Sequence, residues 1–330
     1  MSKKSGKNKC TRKSCLPAVG LIGAVTALAG ATAYGVTKML VNTALDRDPP
    51  KLMQNSNNLI SGSPADPEFD AFVAQKDKEL REMPHEDVEI TAADGIKLKG
   101  HWYHKEGDKR VILAMHGWRS SWTKDFGAIA DFFFANDCSV LFAEQRGQND
   151  SGGEMMGFGL IERFDCFSWA SYLAEKTSGE LPIYLAGVSM GAATVLMTAG
   201  FDLPKEVHGI IADCGFTSPY EIWKHISNKN LHISFRLKGL LANALCKKKI
   251  SMAADEYSTV EALKNATVPV LFIHGTADKF VPVQMTFDNY AACASEKRLL
   301  LVPDAGHAMS YLVDKQSYEN AVTNFFKDFD

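Results

Sequence analysis

Cysteine is scarce in this sequence, and no metal-binding pattern contains it. Among 330 residues there are seven cysteines, with no CxxC pair and no short Cys/His spacing of the kind a zinc site needs. Five of them lie beyond residue 100, an odd number, so at least one of those thiols stays unpaired within the chain. The sequence therefore implies neither a disulfide framework nor a structural metal. We expect most of these cysteines to be small buried residues.

Beyond the first residues, acidic side chains outnumber basic ones. The first 13 residues contribute +6 to a formal net charge of −3, which leaves −9 on the rest of the chain. This balance argues against a body that binds nucleic acid. At 46% apolar and 23% charged residues, the chain is neither disordered nor collagenous. Its length favours one large domain with appendages.

The N-terminal segment has the composition of a membrane anchor. No charged residue occurs between Lys13 and Lys38, a stretch of 24 positions that is long enough to span a bilayer. We predict a basic cytoplasmic tail at 1–13 and a single transmembrane helix at 14–41. The basic cluster lies on the N-terminal side, which predicts a cell-membrane protein with its body outside the cytoplasm.

A cleaved signal peptide is the alternative for this segment, and the mature protein would then be secreted. Small residues two apart, as in Ala27-Leu-Ala29 and Ala31-Thr-Ala33, satisfy the cleavage pattern, but the apolar stretch exceeds the usual length of a signal peptide. Residues 42–67 are rich in Pro, Asn, Ser, Gly and Asp, which predicts a linker.

From residue 68 to 330 the pattern alternates between strands and helices. Alternating segments around Asp94-Gly95 predict an antiparallel hairpin. Six continuous apolar runs follow, and such runs indicate strands covered on both faces. They lie at 111–115, 140–143, 183–186, 209–212, 268–273 and 298–302. We predict a mostly parallel, doubly wound α/β sheet with the hairpin at one edge, and a helical lid inserted at about 216–265.

The segment Gly-Val-Ser-Met-Gly at 187–191 follows one of these strands and precedes a helical pattern. A sharp strand-to-helix turn forces its central residue into a strained conformation, and the flanking glycines remove side chains that would clash. This turn would lift the Ser189 hydroxyl above the edge of the sheet. Ser189 is therefore the candidate nucleophile, against the alternative of a serine in an ordinary loop.

A serine hydroxyl needs a base beside it, and an imidazole oriented by a carboxylate supplies one. His307 follows the last strand and Asp278 follows the strand before it, which gives the chain order Ser, Asp, His. Asp213 also ends a strand and is the main rival to Asp278. Asp304 is too close in sequence to His307 to reach around it.

Five ordered motifs between about 88 and 330 resemble the α/β-hydrolase superfamily, and within it the bacterial membrane-anchored serine hydrolases. They are Met-His-Gly-Trp at 115–118, Glu-Gln-Arg-Gly at 144–147 with Ser-Gly-Gly at 151–153, the Ser189 motif, His-Gly-Thr-Ala-Asp at 274–278 with Phe-Val-Pro at 280–282, and Ala-Gly-His at 305–307. The resemblance implies the α/β-hydrolase fold and a triad of Ser189, Asp278 and His307. It also implies an oxyanion hole made by the backbone N–H groups of Trp118 and Met190.

The predicted lid is basic within an acidic body. Residues 220–250 contain seven Lys or Arg and one Glu. A solvated helical face explains this pattern, and contact with anionic lipid headgroups is the alternative. In the second case the apolar side chains of the lid would line an acyl site. The candidates are Phe235, Leu237, Leu240 and Leu241.

The sequence thus predicts a membrane-tethered serine esterase that cleaves small-molecule or lipid esters. The expected mechanism passes through an acyl-enzyme on Ser189 and needs no metal or organic cofactor. The same triad could serve a peptidase or an aminoacyl-ester or thioester hydrolase. A hypothesis of another class is a non-catalytic binding module, but such modules usually lose the nucleophile or the base, and both are present here.

Overall fold

The computed structural model describes residues 16–51, 67–232 and 234–330, and the side chains of all of these except 16–29 and Leu237. Eight strands form one sheet in the order β1-β2-β4-β3-β5-β6-β7-β8. The strands are β1 Glu86–Thr91, β2 Lys97–Tyr103, β3 Arg110–Met115, β4 Cys138–Ala143, β5 Ile183–Val188, β6 Val207–Asp213, β7 Val270–Gly275 and β8 Lys297–Val302.

The helices alternate with these strands along the chain. They are α1 Leu16–Leu45, α2 Pro67–Glu82, α3 Trp122–Ala135, α4 Glu162–Lys176, α5 Met190–Thr198, α6 Pro219–His225, α7 Arg236–Ile250, α8 Thr259–Leu263, α9 Val283–Ala292, α10 Ser310–Val313 and α11 Lys315–Phe329. A π-helical turn, Ile226–Asn230, continues α6.

The pairing of the strands follows the apolar pattern of the sequence. Strands β3 to β8 pair in parallel, and the central strands β3 to β7 are almost entirely buried. Strand β1 pairs antiparallel with β2, and β2 pairs antiparallel with β4, with partial alternation of exposed and buried residues. The α/β-hydrolase fold with a hairpin at one edge is therefore confirmed.

Two apolar layers enclose the sheet. On one face, α4, α5 and α8 pack against the strands through side chains such as Trp169, Val195 and Leu263. On the other face, α3 and α11 do so through side chains such as Phe126 and Phe325. All five cysteines beyond residue 100 are free and buried. Because both faces are covered, the loops at the carboxyl ends of the strands are left to form a site.

Helix α1 packs its last turns against the body of the domain. Thr37, Val41 and Leu45 are buried there. The Arg47 guanidinium donates to the carbonyl oxygens of Ser151 and Gly153 at 2.6 and 3.2 Å. The end of α1 is therefore part of the folded domain.

This packing corrects two boundaries taken from the sequence. The predicted anchor at 14–41 begins outside the described residues, and its last residues lie against protein, since Thr37 and Val41 are buried. The linker predicted at 42–67 is wrong at its start, because the helix continues to Leu45 and Arg47 is docked. Within the part of the chain that the structure describes, no helix combines the length and the apolar character needed to cross a bilayer.

The predicted lid corresponds to α6, the π-helical turn and α7. They lie between β6 and β7 and form a third apolar cluster with the end of α1. Helix α8 falls within the predicted range of 216–265 but belongs to the body, because Leu263 packs in the core beside the sheet. The lid therefore ends before α8.

The Glu-Gln-Arg-Gly motif after β4 is held by a buried ion pair. The Arg146 guanidinium donates to both oxygens of Asp165, each at 2.5 Å, and to Asp94 at 2.7 Å. Both Arg146 and Asp165 are almost fully buried. Burial raises the pKa of Asp165 to about 6 although its partner opposes that shift.

We expect Arg146→Met to lower the free energy of unfolding by about 3–5 kcal/mol, because it leaves the Asp165 carboxylate buried without its partner. Urea denaturation measures the change. Lys176→Ala is the matched control, since it breaks a more exposed pair with Glu86 whose loss costs about 0–1 kcal/mol. Equal effects of the two changes would contradict this interpretation.

Candidate active site

Ser189 lies at the turn between β5 and α5. Its φ of 55° is in the left-handed region, which costs a residue other than glycine about 1–3 kcal/mol. A Cβ added to Gly187 would lie 2.3 Å from the Gly191 carbonyl oxygen, and one added to Gly191 would lie 1.9 Å from that of Met115. Only glycine allows these backbones to approach so closely. The turn thus raises Ser189 above the end of the sheet.

Three side chains form a chain of hydrogen bonds at this turn. The Ser189 Oγ atom lies 2.8 Å from His307 Nε2, and His307 Nδ1 lies 2.7 Å from Asp278 Oδ2. The other oxygen of Asp278 accepts from the amides of Phe280 and Val281 at 2.8 and 2.9 Å. A carboxylate at Nδ1 holds the proton of a neutral imidazole there, so Nε2 faces the serine hydroxyl as an acceptor.

A second imidazole supports the charge on Asp278. Burial opposes ionisation, but the imidazoles of His307 and His274 hold the pKa of Asp278 well below its ordinary value. His274 Nε2 lies 2.9 Å from the Val281 carbonyl oxygen and 3.2 Å from Asp278 Oδ2. A carbonyl can only accept, so Nε2 carries a proton that also faces the carboxylate. Asp278 is therefore a carboxylate at neutral pH.

Asp213, the rival acid, has a different environment. It is buried at the end of β6 and accepts a hydrogen bond from Ser310 Oγ at 3.0 Å. Burial raises its pKa to about 6. Both ring nitrogens of His307 are already occupied, by Ser189 and Asp278. The geometry thus brings Asp278, and not Asp213, to the imidazole.

His116 orients the peptide that carries one predicted oxyanion donor. Its Nδ1 lies 2.8 Å from the Gly117 carbonyl oxygen, and its Nε2 accepts from the Gln145 amide at 3.1 Å. Burial lowers the pKa of His116, so the ring is neutral. The carbonyl and the N–H of one trans peptide point in opposite directions. The bond to Gly117 therefore directs the Trp118 N–H away from His116.

The two predicted oxyanion donors flank the nucleophile. A Cβ added to Gly117 would lie 3.5 Å from Ser189 Cβ, which places the loop that leads to Trp118 directly beside the serine. Met190 follows Ser189 and is the first residue of α5. The amide of a first helical residue has no acceptor within its own helix.

The loop after β3, residues 116–121, is called the oxyanion loop here after the role predicted for Trp118. It also holds the end of α1. The Trp118 indole donates to the Ala44 carbonyl oxygen at 2.9 Å. The Arg119 guanidinium donates to the carbonyl oxygens of Thr43 and Arg47, each at 2.9 Å. Thr43 and Ala44 lie in the last turn of α1, where carbonyl groups have no partner within the helix, and these bonds supply one; Arg47 lies just beyond the helix. Helix α1 and the oxyanion loop are thus joined directly.

An apolar cavity of about 80 Å³ lies between the lid and the end of α1, and Ser189, His307 and Asp278 are not among the residues in its walls. Leu40 and Val41 of α1, Trp118, Trp223 and Phe235 are among the residues in its walls. Phe280, also in the wall, has its ring centroid 4.8 Å from that of His307. The ring of Phe280 therefore connects the cavity to His307.

Only part of the predicted acyl site faces this cavity. Phe235, Lys238 and Ala242 line it, at spacings of three and four residues that place them on one helical face. Leu240 is 71% exposed, so the prediction for it is wrong: it lies on the opposite face of α7. Leu241 is half-buried outside the cavity wall, and the side chain of Leu237 lies outside the described residues.

A second, larger cavity lies on the other side of His307. Its volume is about 550 Å³, and its walls include Lys124, Asp125, Asp213 and Asp304 beside His307. Helices α2 and α3 contribute Phe69, Val73 and Ile129 to it. The imidazole therefore lines the larger, more polar cavity, and it is connected to the small apolar cavity through the ring of Phe280.

Comparison with known proteins places this geometry in a family. The model of the prolyl oligopeptidase family matches residues 126–329, a range that contains Ser189, Asp278 and His307. The esterase Pf2001 of Pyrococcus furiosus has the same fold, with a TM-score of 0.61 and 22% identity over 76% of this chain and 95% of that one.

Two curated proteins are also similar in sequence. YqkD of Bacillus subtilis (strain 168), an uncharacterized protein, is 28% identical over 240 residues, which are 72% of this chain and 77% of that protein. Thiohydrolase aneE of Aspergillus aculeatus is 30% identical over 142 residues, which are 42% of this chain and 43% of that protein. The membrane-anchored branch suggested by the motifs stays a prediction.

We expect Gly191→Ala to lower the free energy of unfolding by about 3 kcal/mol, because its Cβ would overlap the Met115 carbonyl. Thermal denaturation followed by circular dichroism measures the loss. Gly306→Ala, in the loop before His307, is the control, since its Cβ would meet only Met309 Cγ at 3.9 Å. A Gly191→Ala protein as stable as the control would show that the close approach at Ser189 does not exist.

Proposed function

This chain belongs to the prolyl oligopeptidase family, and on that premise we propose that it is a serine hydrolase that cleaves carboxylic esters through an acyl-enzyme on Ser189. The observation that carries the proposal is the continuous hydrogen-bonded chain from Ser189 through His307 to the ionised Asp278. A serine hydroxyl becomes a competent nucleophile at neutral pH when a base so oriented removes its proton.

Acylation uses these groups in order. His307 Nε2 accepts the Ser189 proton as Oγ attacks the ester carbonyl, and Asp278 stabilises the imidazolium that forms. The N–H groups of Trp118 and Met190 donate to the developing oxyanion, and the N-terminus of α5 adds its positive dipole end. His307 then gives its proton to the departing alkoxide, which leaves as the alcohol.

Deacylation reverses the same proton transfers. His307 removes a proton from water, the hydroxide attacks the acyl carbonyl, and the proton returns to Ser189 Oγ as the carboxylic acid leaves. Every proton moves between groups of this chain, the substrate and water. His116 and Arg119 do not contact the reacting atoms in this scheme. They position the oxyanion loop, His116 through the Gly117 carbonyl and Arg119 through the end of α1.

The apolar cavity supports an acyl chain of moderate length. A volume of about 80 Å³ accommodates roughly five to eight groups the size of a water molecule, at roughly 10–15 Å³ each. The walls contain the rings of Trp118, Trp223 and Phe235, which favour a hydrocarbon chain over a polar one. We therefore expect acyl groups of about six to eight carbons.

Amide or thioester hydrolysis is the second candidate. Membership of the prolyl oligopeptidase family favours a peptide substrate, and similarity to a thiohydrolase favours a thioester. The same triad can attack all three carbonyl classes. The large cavity beside His307 has room for a leaving group bigger than a simple alcohol.

The location of the enzyme outside the cytoplasm stays a prediction of the sequence.

We expect Asp278→Asn to lower kcat by about 10⁴-fold, because an amide at this position no longer holds the productive tautomer of His307. Asp213→Asn is the matched control, and it should keep kcat within a factor of about ten, since no nitrogen of His307 is free to bond it. Stopped assays with a nitrophenyl ester measure kcat, and circular dichroism of both variants measures whether they are folded. A larger loss from Asp213→Asn would transfer the role of the acid to that residue.

Nitrophenyl esters of increasing acyl length, beside a panel of peptide nitroanilides and acyl thioesters, test the substrate class. The wild-type kcat/KM should be highest for esters of about six to eight carbons. Ala242→Leu should shift the optimum to shorter chains, because the added methyl groups fill the cavity. Leu240→Ala, on the exposed face of the same helix, should leave it unchanged.

Two outcomes would contradict this substrate assignment. Higher kcat/KM for peptides or thioesters than for any ester would replace the proposal with the second candidate. An identical chain-length profile for Ala242→Leu and wild type would show that the acyl group binds elsewhere.

A further inference from the structure

Two histidines and an aspartate converge at the hairpin edge of the sheet. Asp87 and His101 are directly opposite each other in the β1-β2 register, and His85 precedes Asp87 by two residues. The Asp87 Oδ1 atom lies 2.9 Å from His101 Nδ1 and 3.3 Å from His85 Nε2. One oxygen therefore faces a nitrogen of each ring.

The outer nitrogens of both rings have acceptors as partners. His85 Nδ1 lies 2.8 Å from the Met83 carbonyl oxygen, and His101 Nε2 lies 3.0 Å from Glu144 Oε1. The other oxygen of Glu144 accepts from the amides of Asp150 and Ser151, as expected of a carboxylate. A carbonyl oxygen requires a donor, so the proton of a neutral His85 ring belongs on Nδ1, toward Met83. His101 lies between two carboxylates, those of Asp87 and Glu144, and a neutral ring can donate to only one of them.

Three electron pairs point at one another when His101 donates its proton to Glu144. His85 Nε2, His101 Nδ1 and Asp87 Oδ1 then all present lone pairs to a common space, and a cation placed there would bond all three. Within the described residues, the ion-pair partners of Asp87 are these two imidazoles, and no Lys or Arg lies within 4 Å of its carboxylate. A single extra proton on His101 would satisfy only one of the two contacts to Asp87, so the cation that satisfies both is a pair of extra protons or a metal ion.

The distances favour a metal. Two protons would create two imidazolium rings whose centroids are 5.1 Å apart, and like charges at that separation repel. One divalent ion satisfies all three donors at once. Tetrahedral zinc with bonds of about 2.0–2.2 Å separates its ligand atoms by about 3.3 Å, close to the 2.9 and 3.3 Å found here.

We propose that His85, Asp87 and His101 form a zinc site, with water as the fourth ligand. Two imidazoles and a carboxylate are a donor set that zinc accepts, and Glu144 behind His101 completes the carboxylate–histidine arrangement that orients such ligands. Both rings are held in place by stacking, His85 on Tyr103 and His101 on Trp122. The Asp87 side chain is 77% exposed, so an ion reaches the site from solvent.

The proposed ligands come from separate segments of the fold. The connection from α2 to β1 supplies His85, strand β1 supplies Asp87, and strand β2 supplies His101. Through Glu144 the site also contacts the loop that holds the end of α1. Zinc bound there joins the hairpin edge of the sheet to this loop.

Zinc binding by the full chain tests the proposal. The purified protein is stripped with chelator, incubated with ZnSO₄, desalted, and analysed for metal by mass spectrometry. We expect one zinc per chain and a thermal midpoint that rises with zinc concentration. Asp87→Asn and His101→Gln should lose both effects. Asp87→Asn changes an exposed side chain and so keeps the protein folded for the comparison.

Two control variants locate the ion. His104→Gln alters a neighbouring histidine that bonds Ser139 instead, and it should keep one zinc. His307→Gln removes a ligand from Cys214, Asp278 and His307, the other group of metal-ligand side chains in the described residues, and it should also keep one zinc. Failure of the wild type to retain zinc, retention by Asp87→Asn, or loss in His307→Gln would each overturn the proposal.

Discussion

A close contact between three backbone segments determines the geometry of the candidate site. The start of α5 approaches the ends of β3 and β5 so closely that Gly187 and Gly191 have no room for a Cβ atom. This contact holds Ser189 in a left-handed conformation and places the first amide of α5 beside its hydroxyl. The nucleophile and one predicted oxyanion donor are therefore products of one turn. The candidate acid and base reach that turn from the loops that follow β7 and β8.

The second predicted donor depends on a longer chain of contacts. His116 fixes the Gly117 carbonyl, the Trp118 indole bonds the end of α1, and Arg119 caps the same helix end. Arg47, just beyond α1, bonds the loop that follows β4. The N-terminal helix is therefore attached to the catalytic body at the oxyanion loop and at the wall of the apolar cavity. In this arrangement a segment that resembles an anchor also lines the apolar cavity.

Much of the fold and the triad could be predicted from the sequence, because each depends on local pattern. Continuous apolar runs identify buried parallel strands, and glycines around Ser189 identify a strained turn. The docking of α1 could not be predicted in this way, since its apolar residues suit a bilayer and a protein surface equally. The sequence predicts Leu240 in the acyl site, but it does not show which face of the helix turns toward the cavity. Phe235, Lys238 and Ala242 share that face, and Leu240 does not. The grouping of His85, Asp87 and His101 requires the register of β1 on β2, which only the structure provides.

Covalent labelling of Ser189 tests the central claim most directly. The full chain is treated with a fluorophosphonate, and intact mass and peptide mapping locate the adduct. The account predicts one adduct per chain, on Ser189, that forms far more slowly in His307→Gln and not at all in Ser189→Ala. An adduct on another residue, or equal labelling of wild type and His307→Gln, would contradict the account.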